Sequence, residues 1–263
     1  MSNDTDVPEL SGRQAPPPLG PEPADFPHGF WARIGYLLHH TEEVAESLRR
    51  DEDTWEIARI LFTISVVMAG LYGGVMGATN LLQGADAVLA DKFAAIAVTF
   101  FKVPVLLLLT LLIVIPPIYV SNAFVGSRLT FGQITAFLLA ACAVTSVVLA
   151  STATVAMFFA LTSRSYHFIK LLHVAMFVYA GVSGLIYLNR TLANAAWATG
   201  RQASGGLFFI WLLLYMFVGT QLAWVMRPFV GNPGDRFQVF RTREGNFYES
   251  VLHSMLEFLK NLD

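Results

Sequence analysis

Acidic side chains are missing from the apolar middle of the chain, where no Asp or Glu occurs between Asp91 and Asp235. Proton- and sodium-coupled transporters rely on carboxylates buried in the membrane, so this absence argues against that class. A pair of catalytic aspartates is excluded from the same region. The middle of the chain does contain bases, and these are Lys92, Lys102, Arg128, Arg164, Lys170, Arg190, Arg201 and Arg227.

Cysteine and the short catalytic motifs are also scarce. The one cysteine, Cys142, cannot form an internal disulfide and lies in an apolar run, where a thiol packs as a small hydrophobic group. The chain contains no HExxH zinc motif and no GxSxG nucleophile motif. Its formal net charge of −2 does not provide the basic face of a nucleic-acid-binding protein. We therefore expect neither an enzyme nor a nucleic-acid partner, and no cofactor or metal.

Apolar residues are abundant: 55% of the chain is hydrophobic, only 14% is charged, and the mean hydropathy is +0.55. Soluble domains carry about 25% charged residues, so this composition indicates a membrane protein. A helix of about 20 apolar residues crosses the hydrocarbon layer, and uniformly apolar runs favour helices over alternating barrel strands. We predict an all-α, polytopic membrane helix bundle with five transmembrane helices, at 57–78, 93–124, 131–161, 168–188 and 207–226.

Polar segments flank this 57–226 transmembrane domain. Residues 1–27 are acidic and Pro-rich, which predicts a disordered tail. Residues 28–56 are predicted to form one amphipathic, then charged helix, either in the plane of the membrane interface or packed on the protein's own loops. Residues 227–263 are predicted to be a polar segment followed by an amphipathic helix. The positive-inside rule gives little orientation here, because Lys and Arg are nearly equally divided between the two sides of the predicted membrane domain. Early spans usually have more influence on orientation, and we therefore predict a cytoplasmic N-terminus.

Prolines interrupt the second predicted span, "FKVPVLLLLTLLIVIPPIYV". Proline removes a backbone donor and clashes with the preceding helical turn. The apolar block 105–115 between Pro104 and the pair Pro116 and Pro117 would be about 16 Å long, too short to cross a membrane alone. We predict a broken span, with a first helix over 93–103 and a kink above about 20° at one of these prolines.

Small residues recur in the first predicted span, in the stretch "GLYGGVMG". Glycines three or four residues apart share one side of a helix and let a second helix approach closely. We therefore expect this side of the first span to contact another span, and its glycines are Gly70, Gly73, Gly74 and Gly77.

Four residues are candidates for ligand binding: Lys102, Arg128, Lys170 and His173. His167, Lys170 and His173 lie three residues apart at the start of the fourth span, which predicts a polar or anion-binding face. The alternative is the interfacial end of a helix whose lysine extends to the lipid headgroups. Two histidines six residues apart on one helix are a poor metal site, so no metal ligands are predicted.

The C-terminal stretch "FRTREGNFYESV" has two interpretations. Asn246 is a good N-cap for the last helix, with Glu249 as its capping-box partner. Alternatively, the stretch is a docking motif for a protein partner. The residues of that candidate motif are Arg243, Glu244, Gly245, Asn246, Phe247 and Tyr248.

The stretch "FKVPVLLLLTLLIVIPPIYVSNAFVGSRLTFGQ" resembles the YIP-type membrane proteins and their uncharacterised bacterial relatives. The resemblance covers about residues 57–226 and includes the five-span layout and the short loop after the second span. It implies a non-enzymatic integral membrane protein with a cytosolic N-terminus, in the bacterial inner membrane, that acts by binding partners or shaping the membrane. The "EGNFY" tail departs from the eukaryotic members, which end soon after the last span.

Three functions follow as hypotheses. The first is a non-catalytic scaffold or adaptor in the lipid bilayer that binds a protein partner or forms a homo-oligomer. The second is a transporter or channel for an anion or a lipid that uses Lys102 and Lys170. The third is a membrane subunit of a larger complex.

Overall fold

A computed structural model describes residues 26–50, 54–83, 89–124, 129–163, 165–197, 205–227, 229 and 247–260. These residues form helices and short connections, without a strand. The helices are α1 (Phe30–His39), α2 (Thr41–Arg50), α3 (Thr54–Gln83), α4 (Leu89–Phe124), α5 (Phe131–Thr162), α6 (Tyr166–Trp197), α7 (Gly205–Val225) and α8 (Phe247–Lys260). Most of the tail predicted over 1–27 lies outside the described residues, as do Arg128 and the segment 230–246.

Four of the described helices are long and apolar enough to cross a membrane. Their apolar stretches are Thr54–Thr79, Phe93–Ser121, Phe131–Thr162 and Tyr166–Asn194. The protein is thus a helical bundle of the multi-pass membrane type. The fifth predicted span, 207–226, falls on α7, whose apolar part Phe209–Val225 is shorter than these four. A fifth crossing stays a prediction.

Helix α5 forms the centre of the bundle. Its neighbours are α3 on one side and α6 on another, while α4 lies against α3 and α7 lies against α4. Small side chains bring these helices close together, and Ala136, Ala140 and Ala143 of α5 are completely buried. The resulting core is contiguous through these helices, and their outer faces carry exposed apolar side chains, such as Leu71 of α3, Leu112 of α4 and Phe158 of α5.

The α3 glycines make the close contact that the sequence predicts. A methyl group added at Gly73 would collide with the backbone carbonyl oxygen of Thr99 on α4, and one at Gly77 would lie 2.7 Å from the Cα of Ile96. Such distances leave no room for a side chain. The prediction of a close helix approach at this face of α3 is confirmed.

The second span is less interrupted than expected. Helix α4 is continuous from Leu89 to Phe124 and contains Pro104, Pro116 and Pro117 within it, so the predicted division into separate pieces is wrong. Proline is tolerated within a membrane helix where neighbouring helices hold it in place and hydroxyl groups compensate for lost hydrogen bonds. Here α3, α5 and α7 pack along α4 and hold it in place. The kink angle stays a prediction.

The segment 28–56 forms two helices rather than the predicted one. His40 separates α1 from α2, because its backbone (φ −110°, ψ 52°) leaves the helical region. Side chains stabilise this break: Tyr36 OH donates to Glu43 Oε2 at 2.9 Å, and His40 Nδ1 lies 3.0 Å from Glu43 Oε1. Residues 54–56, predicted to end this helix, instead begin α3.

The break gives both short helices an apolar face directed at the protein. Leu37 of α1 and Val44 and Leu48 of α2 are fully buried, and α2 contacts α5 and α6. This favours packing on the protein over a free interfacial helix. Trp31 is nevertheless 74% exposed, and an exposed tryptophan suits the headgroup region of a membrane.

The hydrogen bonds of Glu43 at this break predict a dependence of stability on pH. Hydrogen bonds from His40 and then from Tyr36 lower the pKa of the Glu43 carboxyl. A carboxylate with a depressed pKa in the folded state contributes stability above its unfolded pKa of about 4.3 and loses it as the pH falls through the folded value. The difference in thermal stability between wild type and Glu43→Gln should therefore shrink between neutral and acidic pH. Glu42→Gln, on the exposed neighbour, should show no such trend, and equal pH profiles for both variants would contradict the assignment.

The surroundings of Gly73 and Gly181 predict different effects on stability when each glycine is replaced by alanine. Gly73→Ala places its methyl group on the backbone of α4 and should destabilise the protein by about 1–3 kcal/mol, as overpacking does in cores. Gly181→Ala, on spanning helix α6, meets no atom within 4 Å and should be close to neutral. Thermal unfolding in detergent measures both, and a Gly73→Ala protein as stable as Gly181→Ala would show that α3 and α4 are not in close contact.

Candidate functional site

Lys102 lies on α4 and is only 6% exposed. Its Nζ donates a hydrogen bond to the backbone oxygen of Met226, just past the end of α7, at 2.9 Å. The last carbonyls of a helix have no partner within the helix and carry partial negative charge. Lys102 therefore caps the end of α7, and the ammonium also lies 5.7 Å from the ring centroid of Phe229.

Lys170 lies on α6 and binds α8. Its Nζ donates to Ser250 Oγ at 2.7 Å and Ser254 Oγ at 2.9 Å, with a longer contact of 3.3 Å to Ser250 O. The two serines are four residues apart and thus share one side of α8. The ammonium is solvated by hydroxyl and carbonyl oxygens that carry no full negative charge.

His173 lies one turn further along α6 and is 2% exposed. Its Nδ1 is 2.7 Å from Tyr72 OH of α3, whose hydroxyl also contacts Met176 Sδ at 3.5 Å. The other ring nitrogen, Nε2, is buried and has no hydrogen-bond partner in the described part of the chain. An unpartnered buried polar atom costs about 1–3 kcal/mol, so His173 can gain from a ligand that supplies a partner.

A cavity of about 610 Å³ lies beside these residues, between α4, α6, α7 and α8. Most of its wall is apolar, with leucine, valine and phenylalanine side chains from the spanning helices. Along α6 the lining extends from Tyr166 to Leu185, about 28 Å of helix. The cavity is therefore long and suits an elongated ligand.

One end of the cavity is cationic. Lys170 and Arg227 both contribute to the wall there, and the Arg227 guanidinium lies over the Trp224 ring with its Cζ 3.6 Å from the ring centroid. Stacking on an indole is a favourable position for a guanidinium. Among the described lining residues there is no Asp or Glu, so the described wall contains cationic side chains and no carboxylate.

The candidate residues from the sequence divide into three groups. Lys170 and His173 come together at the cavity, as the spacing in the fourth span suggests. Lys102 lies behind Phe229, outside the described lining, and its partner is the α7 carbonyl. Arg128 lies outside the described residues.

The candidate docking motif divides as well. Phe247 and Tyr248 belong to α8 and line the cavity, and Tyr248 OH lies 3.3 Å from Thr220 Oγ1 of α7. The other members lie outside the described residues, namely Arg243, Glu244, Gly245 and Asn246. The part of the motif that can be placed thus packs on this chain.

Sequence reasoning missed several residues of the site. The i, i+4 spacing of Ser250 and Ser254 was a usable signal for a polar stripe on α8. No comparable signal marked Tyr72, which looks like an ordinary aromatic core residue, or the position of Arg227 above Trp224. Among the described residues no three His, Cys, Asp or Glu side chains lie close enough together to hold a metal ion.

In comparisons with known proteins, no family model, curated protein or solved structure matches the chain. The resemblance to YIP-type membrane proteins therefore stays a prediction. The function has to be argued from the cavity and its residues.

The contact between Lys170 and α8 predicts how α8 is held. Hydrogen bonds to a charged group contribute about 1.5–3 kcal/mol, so Lys170→Met and the double variant Ser250→Ala/Ser254→Ala should each raise amide hydrogen exchange in residues 247–260 by about tenfold or more. Combining all three changes should add little, because they remove the same contact. Leu252→Ala, on the exposed face of α8, is the control. Unchanged exchange in the double serine variant would show that Lys170 does not hold α8.

Proposed function

We propose that the protein binds an amphipathic anion, a lipid-like molecule with a carboxylate or phosphate head, within its membrane domain. The observation that carries this proposal is the cavity itself: a long apolar chamber with Lys170 and Arg227 at one end and no carboxylate in its described wall. The proposal is related to the second hypothesis from the sequence, a transporter or channel for an anion or a lipid, but it claims binding and not transport, and it places Arg227 and Lys170 rather than Lys102 at the site.

The charge of the cavity supports an anionic ligand. A cationic side chain in apolar surroundings is costly unless a counter-charge or a set of oxygen atoms compensates it. The serine oxygens of α8 satisfy the hydrogen bonds of Lys170 but leave its charge in place. A carboxylate or phosphate group at this end would supply a negative charge beside Lys170, and Arg227 carries the planar donor set that binds such groups in pairs of hydrogen bonds.

The shape and surface of the cavity support an apolar tail on the same ligand. Ligand pockets have volumes of about 300–1,000 Å³ and are lined mainly by hydrophobic groups with a few polar ones that fix orientation. Leu106 and Leu107 of α4 and Val174 and Phe177 of α6 provide such a wall. A small inorganic anion would leave this part of the cavity unfilled.

The scaffold hypothesis is not favoured by any particular contact of the described residues and stays a prediction. The same holds for a role as a subunit of a larger complex, for the bacterial inner membrane as location and for a cytoplasmic N-terminus. Exposed apolar helix faces are expected of a membrane domain in contact with lipid, so they do not by themselves indicate a protein partner.

A lipid titration tests the proposal. Native mass spectrometry of the detergent-solubilised full chain should show binding of phosphatidylglycerol at least about tenfold tighter than binding of phosphatidylcholine with the same acyl chains. Arg227→Gln should reduce this preference by about tenfold, because it removes a charge-assisted contact. Arg227→Lys should retain most of the preference, since it keeps the charge.

The control removes a cation elsewhere. Arg59 is exposed near the start of α3 and does not contribute to the described wall, so Arg59→Gln should leave the preference unchanged. Equal affinity for the two lipids in the wild type would refute the proposed function. An equal loss in Arg59→Gln and Arg227→Gln would show that the preference reflects the overall charge of the protein and not this cavity.

A further inference from the structure

We infer that the ligand of the cavity is a lipid of the surrounding bilayer, which enters sideways through the seam between α6 and α7. The inference rests on the proposed function and adds to it the source of the ligand and the route. A free phosphate or another water-soluble anion has the same head chemistry but would have to reach the cationic end from the aqueous side. The described residues favour the lateral route.

The first observation is that three apolar side chains of the cavity wall are exposed and not buried. Val178 and Val182 of α6 are 48% and 42% exposed, and Met216 of α7 is 40% exposed, and all three line the cavity. Such large exposed fractions indicate that the cavity is open beside these residues and is not closed by packing between α6 and α7. All three are apolar and lie on helix faces that would contact acyl chains.

The second observation is that α6 and α7 pack against different helices of the bundle. α6 packs on α5 and α2, and α7 packs on α4, whereas α6 and α7 make little contact with each other. Two glycines leave space beside the cavity: a Cβ at Gly181 would meet no atom within 4 Å, and one at Gly219 would meet only the Thr110 side chain of α4, at 3.6 Å. Both glycines line the cavity.

The third observation concerns the cationic end, which α8 covers. Phe247, Tyr248 and Val251 contribute to the wall, and the Lys170 contacts to Ser250 and Ser254 fix α8 there. In the described part of the chain the aqueous end is thus the covered one and the lipid-facing side is the open one. A lipid can reach the site by lateral diffusion with its head at Lys170 and Arg227 and its tails in or near the seam.

A bulky side chain at the seam tests the route. Gly181→Trp should narrow the opening, and its Cβ would meet no atom within 4 Å. The full chain is placed in phosphatidylcholine nanodiscs that contain some phosphatidylglycerol, and the phosphatidylglycerol retained after mild extraction is counted by mass spectrometry. Gly181→Trp should retain about tenfold less than the wild type. Glycerol phosphate added in water should not displace the bound lipid from the wild type.

The matched control is Ile186→Trp, on an exposed position of α6 outside the described cavity wall, which should retain as much lipid as the wild type. If Gly181→Trp retains the wild-type amount while Arg227→Gln does not, the lateral route is wrong and the proposed function stands. If the wild type shows no preference for phosphatidylglycerol, both are wrong. If the protein is a dimer that Gly181→Trp separates, a second copy covers the seam and the lateral route is wrong.

A second measurement needs no change at the seam. Trp224 lines the cavity, so phosphatidylglycerol with brominated acyl chains should quench its fluorescence, assigned as the signal lost in Trp224→Phe. Brominated phosphatidylcholine at the same concentration should quench it at least about threefold less, because it lacks the net negative charge that Lys170 and Arg227 attract. Equal quenching by the two lipids would contradict selective access through the seam.

Discussion

The hydrogen bond from Lys102 Nζ to Met226 O is the contact on which the arrangement of the membrane domain depends. It satisfies two groups that would each be costly in an apolar region: a lysine ammonium with no acid in the neighbouring sequence, and a carbonyl at the open end of a helix. Lys102 lies about 14 Å along α4 from Phe93. Because its partner is the last turn of α7, α7 ends alongside the body of α4 instead of extending to the same level as Phe93.

The position of that helix end creates the conditions for the cavity. Arg227 follows Met226 directly, so the next cation of the chain is held beside α6, where Lys170 lies. Helix α8 then covers this end, and the hydroxyl oxygens of Ser250 and Ser254 accept hydrogen bonds from Lys170. The serine hydroxyls satisfy hydrogen bonds of Lys170 with neutral oxygen atoms and leave its positive charge in place. A cavity with a positively charged end and apolar walls is the physical basis for proposing an amphipathic anion as the ligand.

The sequence contains the information for the helices and for some contacts, but not for the site. Hydropathy depends on continuous stretches of sequence, so the four long spans can be predicted from it, whereas the fifth crossing stays a prediction. The spacing of the α3 glycines likewise predicts the close approach at Gly73. The break at His40 depends on a side-chain cluster that also involves Glu43, and local periodicity does not show it. The partner of Lys102 is 124 residues away in the chain. Only tertiary packing brings such groups together, and the cavity depends on the same packing.

The position of His173 helps to distinguish between a fatty acid and a glycerophospholipid as the ligand of the cavity. Its hydrogen bond with Tyr72 fixes the ring, and Nε2 is then a donor if Tyr72 donates to Nδ1 and an acceptor if Nδ1 donates to Tyr72. In both cases Nε2 has no hydrogen-bond partner in the described part of the chain, and His173 lies about 4.5 Å along the helix from Lys170. A fatty acid bound by its carboxylate at Lys170 would present only methylene groups at that depth. A glycerophospholipid carries ester oxygens just below its head group, and a donor at Nε2 would bind them. The pairing of Tyr72 with His173 therefore favours the glycerophospholipid in the tautomer in which Tyr72 donates to Nδ1 and the proton is on Nε2, because ester oxygens only accept hydrogen bonds.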